Sequence, residues 1–153
     1  MPITVDRIMA RDPVVVRAQD PLCEVASLMQ KTGYNGFPVV DEEGKLIGII
    51  EVEDLLPHPQ AVPFSDVEIL KFLDEWVDVQ NLDKLYQRLC HFTVAQVMRT
   101  NIRAVHPEDP IGKALQALRE SEAERLPVID SQGRPVGLIA RSNFLKLVTH
   151  NQK

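Results

Sequence analysis

Apolar residues in this chain fall into two kinds of pattern, and each pattern occurs twice. Leu22, Val25, Ala26 and Met29 lie at i, i+3, i+4 and i+7, and so do Ile111, Ala114, Leu115 and Leu118. That is the stripe of a helix packed on one face. Each stripe follows an Asp-Pro pair, Asp20-Pro21 or Asp109-Pro110, which reads as an N-cap followed by proline at the first helical position, where its missing N–H costs nothing. Downstream, Pro38-Val39-Val40-Asp41 to Gly48-Ile49-Ile50 and Pro127-Val128-Ile129-Asp130 to Gly137-Leu138-Ile139 each place two short apolar runs around an Asp-x-x-Gly turn. Those are two hairpins, since Asp and Gly supply the backbone angles a tight turn needs.

The two copies share one offset of 89 positions, which relates Met9 to Met98, Thr4 to Thr93, Asp20 to Asp109, Gly44 to Gly133 and Gly48 to Gly137 without a gap from Thr4 to Leu56. A register this long marks a duplicated supersecondary unit. Each unit begins with a Thr-capped helical turn (Thr4 to Met9, Thr93 to Met98). An extended apolar run, the stripe helix, the hairpin and a final helix follow, the last short before Pro57 and spanning about Ser142 to Val148 in the second copy. The fold class is therefore mixed α/β (α+β), two β-α-β-β-α repeats at 1–56 and 91–153. Between them, at 57–90, Pro57, Pro59 and Pro63 stop the first copy. Val67, Leu70, Leu73, Trp76 and Val77, then Leu82, Leu85, Tyr86 and Leu89, fall at helical spacing. The expectation here is a helical insertion beginning near Ser65.

Composition narrows the function. The chain has 153 residues, 44% hydrophobic and 25% charged, with a formal charge of −5, and it holds no basic run of the kind that binds nucleic acid through phosphate. No apolar segment approaches the roughly 20 residues needed to span a bilayer, and Asp6 and Arg7 stand where a signal peptide would be apolar. These features place the protein in the cytoplasm. Cys23 and Cys90 are far apart and outside any Cys-x-x-Cys motif, so they read as two reduced thiols packed as small hydrophobes. His58, His91, His106 and His150 show no spacing that pairs a nucleophile with a base, and there is no phosphate loop or metal-ligand cluster. Neither a catalytic nor a metal site is expected, although Glu51 and Asp54 at i, i+3 are oxygen ligands of the type a hard cation takes.

With Arg125-Leu126-Pro127-Val128-Ile129-Asp130 and Gly48-Ile49-Ile50 in a duplicated frame, the chain resembles a tandem pair of CBS domains, the unit called a Bateman module. The resemblance implies halves related by a pseudo-twofold axis, a tendency to form homodimers, and clefts between repeats that bind adenosine nucleotides. The family pattern Gly-h-h-Thr-x-x-Asp after the second strand sets the Thr near phosphate and the Asp on the ribose. Here the first copy has Glu51 and Asp54 in those places, and the second has Ala140 and Asn143. Neither copy is intact.

The implied site is composite. Asp54 would serve the ribose, Arg125, Arg141 and Ser142 the phosphate, and Val14, Val16, Ile102 and Val105 the adenine. Each has a plainer reading: Asp54 as the N-cap or first-turn acid of its helix, Arg125 as a surface cation paired with Glu122 or Glu124, and Arg141 as a solvated charge. The implied function is regulatory binding of AMP, ADP or ATP, which changes affinity for a regulated protein partner only if the ligand prefers one conformational state. The alternative is a nucleotide-independent interaction module with degenerate clefts, docking a redox partner such as thioredoxin through the insertion. Some chloroplast CBS-pair proteins have that layout.

Overall fold

A computed structural model describes residues 2–61, 68–73, 75–77, 80 and 82–150. The first repeat opens with a 3-10 turn at Val5–Arg7, then runs through β1 (Ala10–Arg11), β2 (Val16–Arg17), α1 (Leu22–Thr32), β3 (Gly36–Val40), β4 (Leu46–Glu51) and a 3-10 turn at Val52–Leu55. The stripe helix forms as its spacing requires, with Leu22, Val25 and Met29 buried. Its N-cap is Pro21 and not Asp20. The Asp20 carboxylate instead accepts a hydrogen bond from the Arg17 backbone N–H at 2.9 Å, closing the turn that aims the chain into the helix. Gly33, at φ 74°, ends the helix in the left-handed conformation that glycine adopts without penalty.

The insertion differs from the expectation. It contains a three-stranded antiparallel sheet of β5 (His58–Ala61), β6 (Glu68–Phe72) and β7 (Glu75–Val77), followed by α2 (Leu82–Gln87). Pro63, Ser65 and Val67, where the expected helix begins, lie outside the described residues. Leu73 takes a positive φ of 55°, a tight turn between β6 and β7 that no helix contains. The aromatic and β-branched residues Ile69, Phe72, Trp76 and Val77 suit strands better than a helix interior. Phe72 is buried and meets Phe92 edge-on with centroids 5.5 Å apart. The second apolar stripe is helical as expected, and Leu85 and Leu89 pack into the first repeat's core.

The second repeat comprises α3 (Val94–Val97), α4 (Ile111–Glu120), β8 (Arg125–Ile129), β9 (Pro135–Ala140), a 3-10 turn at Arg141–Leu145 and α5 (Lys146–His150). Each repeat's opening turn crosses to the other. Val5, Ile8 and Met9 lie in the core with Val105, Leu118, Leu126 and Ile139, while Val94 joins the core of Val16, Phe37 and Ile50. Backbone bonds tie the exchange, Val5 N–H to the Asp109 carbonyl at 2.8 Å and Val94 N–H to the Asp20 carbonyl at 3.0 Å. β1 pairs with β9, and Ile49 of β4 with Arg99. The two strand glycines now have a cause. A Cβ on Gly48 would lie 2.9 Å from the Arg99 carbonyl, and one on Gly137 would lie 2.5 Å from Met9 Sδ, so each makes room for the crossing segment.

The cysteines are not reduced. Cys23 in α1 and Cys90, just past α2, form a disulfide with Cα atoms 4.9 Å apart. The exchange of segments and the return of the insertion bring together residues 67 positions apart, a proximity invisible in linear spacing.

Candidate functional site

The two hairpins end side by side at the junction of the repeats. In the first, Gly36 faces Glu51; in the second, Arg125 faces Ala140. The repeat offset equates Gly36 with Arg125 and Glu51 with Ala140, so each hairpin carries one charged and one small residue. A Cβ on Gly36 would meet Arg125 Cδ at 3.1 Å and Glu51 Cγ at 3.2 Å. The glycine therefore leaves the space in which Arg125 and Glu51 touch.

Around Glu51 the junction is filled by protein. Glu51 is 3% exposed. The Glu124 backbone N–H donates to both carboxylate oxygens at 3.1 Å, Arg125 Nη1 reaches Oε2 at 3.2 Å, and Arg99 Nη1 reaches Oε1 at 3.3 Å. Burial pushes the Glu51 carboxyl above its ordinary pKa, against the opposing pull of the Glu124 N–H and the two guanidinium groups. Arg99 Nε also donates to Asp54 Oδ1 at 3.0 Å and its Nη1 to the Glu122 carbonyl at 3.0 Å. Although desolvation works against its charge, the Asp54 carboxylate beside it, helped by Glu51 and Glu53, raises the Arg99 pKa. Asp54 Oδ2 accepts from the Glu51 backbone N–H at 2.7 Å. Both Asp54 oxygens are thus engaged within the chain.

The pseudo-equivalent junction is built from smaller residues. Ala10 stands at the position of Arg99, Ala140 at that of Glu51 and Asn143 at that of Asp54. Asn143 Oδ1 accepts from the Ala140 N–H at 2.7 Å, and its Nδ2 donates to the Ile8 carbonyl at 2.9 Å. Here a groove of about 190 Å³ runs between the repeats, walled by Ala10 to Val14 on one side, Gly33 to Phe37 on the other, and Arg125, Leu138, Ala140 and Asn143 at its end. Asp12 holds a left-handed φ of 53° on this wall, a conformation Asp tolerates better than most side chains. A second groove of about 240 Å³ is lined by Glu124, Arg125, Ala140, Arg141 and Ser142. Arg125 and Ala140 belong to both, so the two grooves adjoin.

The residues expected to share one site therefore divide. Arg125, Arg141 and Ser142 come together, and Val14 lines the first groove, at Ala10 and Asn143. Asp54 lines neither groove, because Arg99 occupies its carboxylate. Val16 and Val105 are buried in the two cores, and Ile102, half-buried, lines neither groove. The ion-pair partner of Arg125 is Glu51, across the repeats, and not its neighbours Glu122 or Glu124. Sequence reasoning missed Arg99 together with Arg11, Asp12 and Tyr34 on the first groove. A signal for Arg99 was present: the offset sets a cation where the other copy has alanine, in the frame of two acids that replace the family's Thr and accompany its Asp. Among the described residues no group of three or more His, Cys, Asp or Glu side chains could hold a metal ion.

Comparison with known proteins agrees with this architecture. The family model for the CBS domain matches residues 5–59 and 94–150. The chain is 29% identical over 148 residues to the CBS domain-containing protein CBSX1, chloroplastic, of Arabidopsis thaliana, covering 94% of this chain and 63% of that one. It is also 31% identical over 144 residues to inosine-5'-monophosphate dehydrogenase of Mycobacterium tuberculosis, covering 93% of this chain but only 22% of that enzyme. The chain thus spans about a fifth of that enzyme's length. Among solved structures, CBSX2 of Arabidopsis thaliana superimposes with a TM-score of 0.79 at 23% identity, over 99% of this chain and 98% of that one. The CBS pair of protein MJ0100, solved with 5-methylthioadenosine and S-adenosyl-L-methionine, gives 0.69 at 21% over 99% and 100%; at these identities the likeness is one of fold. The chain belongs to the CBS domain family, as a pair of CBS repeats with an intervening segment between them.

Proposed function

We propose that the chain is a cytoplasmic regulatory module that binds an adenosine nucleotide of the AMP, ADP or ATP class in the groove between its repeats at Ala10 and Asn143 and thereby modulates a protein partner. The observation that carries this reading is the pair of adjoining grooves meeting at Arg125. The grooves measure about 190 and 240 Å³, so a nucleotide is proposed to extend across both. The nucleoside lies against Val14 and the Tyr34 to Phe37 wall. Its phosphate reaches past Ala140, which offers no obstacle, to Arg125, Arg141 and the Ser142 hydroxyl. A phosphate there competes with Glu51 for Arg125, so binding pulls on a contact that joins the two repeats, and a partner reads that change. Support comes from structural neighbours: CBSX2 has been solved in complex with AMP, with a TM-score of 0.71, and the MJ0100 pair with two adenosine compounds. Homodimer formation is part of the same proposal.

Isothermal titration with AMP, ATP and S-adenosylmethionine tests it. One site per chain is expected, with affinity for AMP falling at least about tenfold in Arg125→Ala, the loss of one charge-assisted contact. No heat with any of the three, or AMP binding indifferent to Arg125, would remove the reading.

A further inference from the structure

We infer that the Cys23–Cys90 disulfide is a reducible clasp, a site of thiol exchange whose opening releases α2 and the turn at Leu89–His91 from the apolar face of the first repeat. The inference is independent of the nucleotide reading.

Three observations carry it. First, the bond joins the start of α1 to the exit of the insertion, and its two ends differ in access: Cys90 is exposed and Cys23 half-buried. An external thiolate therefore has a natural point of attack at Cys90 Sγ. Second, what the bond holds down is small. Helix α2 has six residues, well under the roughly 12–15 an isolated helix needs to persist in water. It stays helical through docking, and the docked side chains are Leu85 and Leu89. Third, the docking is incomplete. Beside Leu89 a groove of about 340 Å³ separates Tyr86 from Met29, Leu55 and Leu56, so the helix lies over an apolar face that it does not fill. A covalent link at the edge of a loosely packed element is placed to control whether that element stays down. Disulfides of proteins in reducing compartments are mostly transient and redox-responsive, and this one has the access such a role requires.

The exchange balances with a dithiol as reductant. One of its thiolates attacks Cys90 Sγ, and Cys23 Sγ leaves as a thiolate that takes up a proton. The second thiol of the reductant, deprotonated, attacks its own sulfur in the mixed disulfide, and Cys90 Sγ leaves and is protonated. The reductant departs as a cyclic disulfide, and two electrons and two protons have passed to the protein.

The full chain, oxidised with glutathione disulfide, is compared before and after dithiothreitol without denaturant. Thiol titration should count no free thiol before and two after. Amide hydrogen exchange of residues 82–91 should accelerate at least about tenfold on reduction while β8 and β9 keep their protection. Cys90→Ser should exchange fast with or without the dithiol. The inference is overturned if the oxidised chain still titrates two thiols, if the bond yields only on denaturation, or if exchange at 82–91 is the same in the oxidised, reduced and Cys90→Ser proteins.

Discussion

The two junctions between the repeats occupy equivalent places in a duplicated fold and have opposite characters. Where Arg99, Glu51 and Asp54 stand, the chain fills its own cleft with a buried ion-pair network. Where Ala10, Ala140 and Asn143 stand at the matching positions, a groove remains. Three substitutions in equivalent places therefore separate a structural latch from a candidate binding site. Duplication supplies two clefts, and side-chain size and charge decide which of them stays open.

The largest effect expected from breaking this asymmetry follows Arg99→Ala. Removing one partner of a fully buried pair costs about 3–5 kcal/mol; with the Arg99 side chain 25% exposed, a loss of about 2–3 kcal/mol is expected, read from urea unfolding. AMP affinity at the other junction should stay within about threefold, since Arg99 lines neither groove there. Gly137→Val comes next. Its side chain would collide with Met9 and the Ala10 carbonyl, and overpacking of this kind costs about 1–3 kcal/mol. Because the displaced segment walls the groove at Ala10 and Asn143, this variant should also weaken AMP binding, which distinguishes it from Arg99→Ala in one calorimetric series.

The smallest effect concerns pH. The folded Glu51 carboxyl has a pKa above its ordinary value of 4.5, so between 4.5 and that raised value the folded state binds more protons than the unfolded one. Stability from this group is full below 4.5 and is lost as pH rises through the folded pKa. The difference in Tm between wild type and Glu51→Gln should drift against the wild type over that interval; a flat difference would show that the two arginines cancel the cost of burial.

Much of this molecule was legible in its sequence. The offset of 89, the helical stripes and the Asp-x-x-Gly turns specify local structure through periodicity and turn chemistry, and those are short-range properties. The Asp41 and Asp130 side chains each accept two backbone N–H bonds inside their turns, as such turns require. What escaped was long-range. The stripe from Val67 to Val77 fits helix spacing but also two short strands, and the turn at Leu73 with the burial of Phe72 on the first repeat decided between them. Pairing of Cys23 with Cys90 depends on how the insertion returns to α1. The engagement of Asp54 by Arg99 depends on the second repeat's opening segment crossing to the first. Arg125 was singled out through the CBS resemblance, which sets a basic residue two positions before Pro127; in the fold it lies at the hairpin end, opposite Ala140.

One junction is closed by Arg99, and the other is proposed to take a ligand at Arg125. AMP calorimetry on the wild type, Arg99→Ala and Arg125→Ala side by side separates the two. One site per chain is expected in the first two proteins and a loss of affinity of at least about tenfold in the third. Two sites in the wild type, or a loss in Arg99→Ala equal to that in Arg125→Ala, would contradict this division.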